Sequence, residues 1–150
     1  MIWDQLITNR ILIAAMVAWL LAQFFKVPTQ YILHRKVNWG MWLSTGGMPS
    51  SHAALVTSTM LATGLYAGFN TPVFAVALAV AMVVVYDAGG VRRQAGMHAE
   101  RINLIIKELF TGQPISEENL KEVLGHTPIE VIGGVILGLV VSWGVWTFWH

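Results

Sequence analysis

The chain has 150 residues, enough for one domain over 1–150, and it is 55% hydrophobic but only 11% charged. Soluble domains carry about 25% charged residues, so this composition excludes an ordinary soluble enzyme and predicts a polytopic membrane protein of the all-α class. The net charge of +1 argues against nucleic-acid binding, and the lack of cysteine excludes disulfides, thiolate metal sites and a cysteine nucleophile.

Four apolar stretches are long enough, or nearly long enough, to cross a bilayer, which takes roughly 20 helical residues. They cover about 6–26, 51–69, 72–88 and 128–149. The acidic Asp4 and the length of the first stretch argue against a cleavable signal peptide, so this span is expected to remain in the mature protein. The sequence therefore predicts a helical bundle of about four transmembrane helices.

Local signals mark the ends of these helices. Thr71-Pro72 and Thr127-Pro128 each place an N-cap residue before a proline at the first helical position. Gly89-Gly90 is expected to end the third helix. The pairs Gly64/Gly68 and Gly134/Gly138 have the spacing that lets membrane helices approach closely, which predicts a packing role.

Two polar segments, 27–50 and 89–126, are predicted to lie outside the hydrocarbon on the same side of the membrane. Within the second, the apolar periodicity predicts an interfacial amphipathic helix, and a further short helix is expected from Ser116. Of the nine basic residues only Arg10 lies on the other side, and Lys26, at the end of the first span, is counted on the side of the polar segments. The positive-inside rule then places these segments in the cytoplasm.

The unusual polar residues fall on this cytoplasmic side. They are Pro49-Ser50-Ser51-His52, Asp87, Arg92, Arg93, His98, Glu100, His126 and Glu130. Ionisable groups at membrane depth cost free energy and indicate a functional site by default. Helix N-termini and paired arginines suit a phosphate group, while two histidines can supply a nucleophile and a general acid. The set therefore describes metal-free hydrolysis of a phosphate monoester through a phosphohistidine.

Two of these runs resemble motifs of the type 2 phosphatidic acid phosphatase superfamily, which also contains the vanadium haloperoxidases. Pro49-Ser50-Ser51-His52 is similar to its second motif, Pro-Ser-Gly-His. Residues 125–130 resemble the end of its third motif, a histidine followed four residues later by aspartate. Nearly the whole chain, including 87–93, resembles a short divergent bacterial branch of that superfamily.

The resemblance implies a role for each matching residue. His126 would be the nucleophile, His52 the general acid and Glu130 the group that orients His126, with no cofactor required. Phosphate binding is assigned to Arg92, Arg93, Ser50, Ser51 and Asp87.

The sequence also departs from the superfamily pattern. Its first motif, a lysine followed seven residues later by Arg-Pro, has no counterpart before Pro49. Leu120 stands where the third motif has an arginine, so Lys121 or the Arg92-Arg93 pair is expected to supply that charge.

The resulting hypothesis is a lipid phosphate phosphatase of the bacterial cytoplasmic membrane, acting at the cytoplasmic side on phosphatidylglycerol phosphate or a prenyl phosphate. The lipid phosphate and membrane lipids would be its partners, and a homodimer would cover apolar helix faces. Two alternatives stay open. One is a metal-dependent phosphoesterase, and the other is a non-catalytic lipid-binding or scaffold protein. The metal site would use Asp87, His98, Glu100, His126 and Glu130.

Several of these residues also have structural interpretations. Thr127-x-x-Glu130 is a capping box, and Glu130 can cap the helix and orient His126 at once. His52 can be a polar residue at a helix start, and His126 a loop residue. Arg92 and Arg93 can be membrane anchors of the positive-inside kind.

Overall fold

The computed structural model describes residues 2–35, 37, 39–43, 46–109 and 126–149. Within these ranges the undescribed side chains are those of His34, Leu43, Val91, Arg92, Arg93, Ala95, Glu100, Lys107, Glu108 and Leu109. The described chain forms six α-helices and one short 3-10 helix, with no strand. The α-helices are α1 (Ile2–Thr8), α2 (Arg10–His34), α3 (Ser51–Ala67), α4 (Pro72–Gly89), α5 (Val91–Leu109) and α6 (Pro128–Phe148), and the short 3-10 helix is Trp39–Leu43. The predicted all-α class is confirmed.

Three of the described helices are long and apolar enough to cross a membrane by length and composition. They are Arg10–Leu33, Pro72–Gly89 and Pro128–Phe148. The other predicted span is α3, whose 17 residues correspond to about 26 Å at 1.5 Å per residue, against a hydrocarbon core of about 30 Å. The predicted count of four is therefore approximate, because α3 is a shorter helix than its three neighbours.

The first span extends further than the sequence predicts. The sequence places 27–50 in a polar segment. Instead α2 continues through Pro28 to its end at His34. Pro28 lacks the N–H that would bond to the Phe24 carbonyl one turn earlier, and prolines of this kind are tolerated within membrane helices. In the same turn the Thr29 hydroxyl donates to the Phe25 carbonyl at 2.7 Å. Lys26 therefore lies within α2 and not at the last position of the span, which corrects the predicted boundary.

Helix α3 lies at the centre of the bundle and contacts α2, α4 and α6. The core around it is rich in alanine, which lets helices approach closely in lipid. One cluster consists of Ala18, Ala22, Ala54 and Val141, and a second, the Ala53 cluster, of Ala53, Ala88 and Val131. The hydroxyl-bearing side chains of α3 face this interior, where Ser58, Thr57 and Thr63 are buried. The polarity of α3 is thus directed away from lipid.

The pair Gly134/Gly138 brings α6 against the backbone of α3, as its spacing predicts. A Cβ atom at Gly134 would overlap the Ser50 carbonyl oxygen, and one at Gly138 would lie 2.6 Å from the Ala54 carbonyl oxygen. Both separations are inside van der Waals contact, so only glycine allows this approach. This contact fixes the start of α3 beside the start of α6.

The pair Gly64/Gly68 does not join two helices, contrary to the prediction from its spacing. Gly64 makes room for the Phe69 ring, and Gly68 is the C-cap of α3 with a φ of 99°. Thr71 caps α4, and its side chain accepts the Phe74 N–H at 3.3 Å. These residues form a tight turn between α3 and α4, and Thr71 is the N-cap that the sequence predicts.

Helix α5 follows α4 directly and contacts it. Its apolar residues Ile102 and Ile105 remain exposed on the protein surface, in keeping with the predicted amphipathic helix at a membrane interface. Gly90 caps the end of α4, as the sequence indicates. The helix expected from Ser116 lies outside the described residues.

Candidate active site

The ends of α2 and α4 meet the starts of α3 and α6 at one end of the bundle. The Ser50 N–H donates to the Glu130 carbonyl at 2.9 Å, which joins α3 to α6. The Ala53 cluster brings the end of α4 to the same place. The Thr29 hydroxyl of α2 has the Met48 carbonyl, just before α3, as an alternative acceptor. Residues far apart in the chain are therefore assembled into one site.

His126 is held at the entry of α6 by Glu130. Its side chain is only 3% exposed, and its Nδ1 lies 3.1 Å from Oε2 of Glu130. The same oxygen accepts the Thr127 N–H at 3.0 Å, while the Glu130 N–H donates to the Thr127 hydroxyl at 3.4 Å. The predicted capping box is thus formed, and one carboxylate both caps the helix and binds the imidazole.

The second ring nitrogen of His126 has a different environment. Nε2 is buried and has no hydrogen-bond partner among the described residues. A carboxylate only accepts hydrogen bonds, so Nδ1 carries a proton, and in the neutral ring Nε2 carries the lone pair. Buried polar atoms rarely lack a partner in folded proteins. An orphaned, lone-pair-bearing nitrogen is what a nucleophilic histidine requires before it binds substrate.

His52 lies in the first turn of α3 and faces His126. The two ring centroids are 6.4 Å apart and the ring planes are inclined by 59°. The rings therefore flank a common space without stacking on each other. Ser50 precedes them as the N-cap of α3, where its hydroxyl accepts the Ala53 N–H at 3.4 Å, and Ser51 is buried beside it. Ser50 accordingly has a capping role besides its predicted contact with phosphate.

Lys26 is the site residue that the sequence analysis missed. Its side chain is fully buried, and a Cβ atom on Gly47 would lie 3.8 Å from its Cγ. Its charge interacts electrostatically with Glu130. The signal was present in the sequence, because a lysine within a membrane helix indicates function by default. Ending the first span at residue 26 concealed it.

The structure describes the other predicted site residues only in part. Asp87 is in the last turn of α4, next to the Ala53 cluster through its neighbour Ala88. Arg92 and Arg93 are in the first turn of α5, but their side chains are not described, so phosphate binding by them stays a prediction. His98 is exposed on α5.

The metal-dependent alternative requires several donor side chains in one place. Its proposed ligands were Asp87, His98, Glu100, His126 and Glu130. Among the described side chains, no group of three or more histidine, aspartate or glutamate residues could hold a metal ion. In the described part of the chain His126 contacts Glu130, but the absence of such a group of three gives this alternative no support.

Comparisons with known proteins identify the family of the chain. The chain is 38% identical over 149 residues to YuiD, an uncharacterized membrane protein of Bacillus subtilis (strain 168). The aligned region covers 92% of this chain and 94% of that relative. No solved structure matches the chain significantly. A family model described as the Divergent PAP2 family matches residues 7–141, a range that includes both histidine motifs. The chain is therefore an integral membrane protein, and it belongs to the Divergent PAP2 family.

Proposed function

We propose that this protein is a membrane lipid phosphate phosphatase that hydrolyses a phosphate monoester through a phosphohistidine, without a metal. The observation that carries the proposal is the environment of His126. Glu130 holds Nδ1 at 3.1 Å, while Nε2 is buried without a hydrogen-bond partner in the described chain. The ring is thus fixed in one tautomer with its nucleophilic nitrogen available.

The first step transfers the phosphoryl group to His126. Nε2 forms a bond to phosphorus as the bond between phosphorus and the lipid oxygen breaks. His52 donates a proton to the departing alkoxide oxygen, so that oxygen leaves as the hydroxyl of the product lipid. Glu130 stabilises the positive charge that develops on the His126 ring, and the buried charge of Lys26 attracts the phosphate. Arg92 and Arg93 are proposed to bind the same phosphate oxygens.

The second step releases inorganic phosphate. His52, neutral after the first step, accepts a proton from a water molecule whose oxygen attacks phosphorus. The bond between phosphorus and Nε2 breaks, and its electron pair returns to the ring. His126 is then neutral with its proton on Nδ1, and His52 is again protonated for the next turnover.

We further propose that the site faces the cytoplasm and acts on phosphatidylglycerol phosphate or a prenyl phosphate. The distribution of basic residues supports a cytoplasmic site. In the topology predicted from the sequence, only Arg10 of the nine basic residues lies on the side of the membrane away from the site. In the bundle, Arg10 lies over the Tyr66 ring, 5.6 Å from its centroid, and the Tyr66 hydroxyl donates to the Trp149 carbonyl near the end of α6. Arg10 is therefore at the end away from His126.

The deciding experiment measures phosphate release by detergent-purified protein from a panel of lipid phosphates in the presence of EDTA. Wild type is compared with His126→Ala and with His98→Ala, a matched change at an exposed histidine of α5. EDTA-resistant release that only His126→Ala abolishes supports the proposal. Release that EDTA abolishes in wild type favours a metal-dependent phosphoesterase. Absence of release from every substrate favours a non-catalytic lipid-binding or scaffold role.

A further inference from the structure

An apolar groove opens on the surface of the bundle between α2 and the short Trp39–Leu43 helix. It has a volume of about 410 Å³ and is lined by Leu20, Leu21, Gln23, Phe24 and Trp42. This volume is within the range of roughly 300–1,000 Å³ found for small-molecule sites. Its walls are almost entirely apolar, and Leu20 and Phe24 are more than half exposed. The groove therefore suits a hydrocarbon chain supplied from the surrounding lipid.

The groove lies on the outer face of α2, a short distance along the helix from the buried Lys26. Its α2 residues precede Lys26 by two to six positions, which corresponds to about 3–9 Å along a helix that rises 1.5 Å per residue. Since α2 starts at the far end of the bundle with Arg10, these positions are deeper in the membrane than Lys26. A lipid with its phosphate at the site would direct its chain along this path.

The Trp39–Leu43 helix lines the groove and also reaches the loop before α3. The Gln23 side-chain amide donates to the Trp42 carbonyl at 3.1 Å, which fixes the short helix against α2. In the same short helix, the Met41 side chain reaches Gly47, where an added Cβ would lie 2.6 Å from Met41 Cε and 3.8 Å from Lys26 Cγ. The short helix that lines the groove is therefore linked through Gly47 to the surroundings of the buried Lys26.

We propose that this groove binds the hydrocarbon chain nearest the phosphate of the substrate, with the phosphate beside Lys26 and His126. The inference rests on the proposed function and deepens it, because it defines the substrate as a lipid phosphate whose chain contacts α2. Chain binding would then contribute to catalysis of long-chain substrates only. A phosphate monoester without a chain would not use the groove.

The first test fills the groove with a larger side chain. Leu20→Trp is compared with Leu12→Trp, the same change at a partly exposed position of α2 outside the groove. We expect Leu20→Trp to lower kcat/KM for a dioleoyl lipid phosphate by about tenfold, through KM, and to leave hydrolysis of para-nitrophenyl phosphate unchanged. Equal loss for both substrates, or no loss for either, would overturn the proposal.

The second test does not need turnover. A lipid phosphate with a photoreactive diazirine in its chain is cross-linked to wild-type protein and to Leu20→Trp, and labelled peptides are mapped by mass spectrometry. Preferential labelling of 20–24 by the phosphate lipid over a diacylglycerol with the same chain, reduced in Leu20→Trp, supports the groove. Equal labelling by both lipids shows ordinary bilayer contact and overturns it. Preferential labelling in a protein that releases no phosphate would instead reject the proposed phosphatase function alone.

Discussion

Nδ1 of His126 lies 3.1 Å from Oε2 of Glu130, and that oxygen also accepts the N–H that begins the capping box of α6. The imidazole is therefore hydrogen-bonded to the first turn of a long membrane helix, and its orientation depends on the same carboxylate that caps the start of that helix. A site built on a rigid helix start positions its groups more precisely than one on a loop. Capping and orientation of His126 can be separated by mutation.

Glu130→Gln should reduce phosphate release strongly while the protein stays folded. The amide can still accept the capping hydrogen bond, but it cannot stabilise a positive charge on His126, so we expect kcat to fall by about 100-fold or more. Glu130→Ala loses the cap as well, which costs about 1 kcal/mol of stability. Phosphate release and thermal unfolding in detergent distinguish the two variants. Equal melting temperatures with unchanged kcat in Glu130→Gln would contradict an orienting role.

Lys26→Met should weaken binding of phosphate more than it affects folding. The substitution keeps an unbranched apolar stem in a fully buried position and removes a charge-assisted contact of about 1.5–3 kcal/mol. We therefore expect the inhibition constant of inorganic phosphate to rise about 10- to 100-fold. Arg10→Met, at the far end of the same helix, is the control and should leave that constant unchanged. A lower melting temperature with normal inhibition would assign Lys26 a structural role.

His52→Asn should have an effect that depends on the leaving group. If His52 protonates the departing oxygen, loss of the imidazole slows release from an alkyl phosphate by about 10²- to 10⁴-fold. Para-nitrophenolate departs without protonation, so hydrolysis of para-nitrophenyl phosphate should fall much less. Kinetics with both substrates measure the difference. An equal loss on both would remove His52 from the role of general acid.

The sequence predicts local interactions of the site better than it predicts the end of the first span or the distances between helices. Thr127-x-x-Glu130 predicted a capping box because that interaction is local and depends only on residue types at fixed spacing, and the structure contains it. Lys26 was missed because the apolar stretch that marks the first span ends at about residue 26, whereas α2 continues through Pro28 to His34. The distance between His52 and His126 depends on how α3 packs on α6, which no local pattern encodes.

Gly134→Ala should disturb that packing. A Cβ atom at Gly134 overlaps the Ser50 carbonyl oxygen, and backbone cannot move aside as a flexible side chain does. We expect a loss of about 1–3 kcal/mol of stability and reduced activity, because the starts of α3 and α6 move apart. Gly144→Ala is the matched control on the same helix, where the described chain has no atom within 4 Å of the added Cβ. Thermal unfolding of both variants in detergent tests this, and equal melting temperatures would contradict it.

The hydroxyls of Ser58 and Ser142 lie 2.8 Å apart in the core, where they join α3 to α6. The Ser142 hydroxyl also lies 2.9 Å from the Ser58 carbonyl and 3.0 Å from the Gly138 carbonyl, so it has alternative acceptors. Such bonds between membrane helices contribute about 0.6 kcal/mol on average. A double-mutant cycle of Ser58→Ala and Ser142→Ala should therefore give a coupling energy of about that size, with kcat unchanged. Coupling above about 2 kcal/mol, or loss of activity in either single variant, would show that this pair supports the site directly.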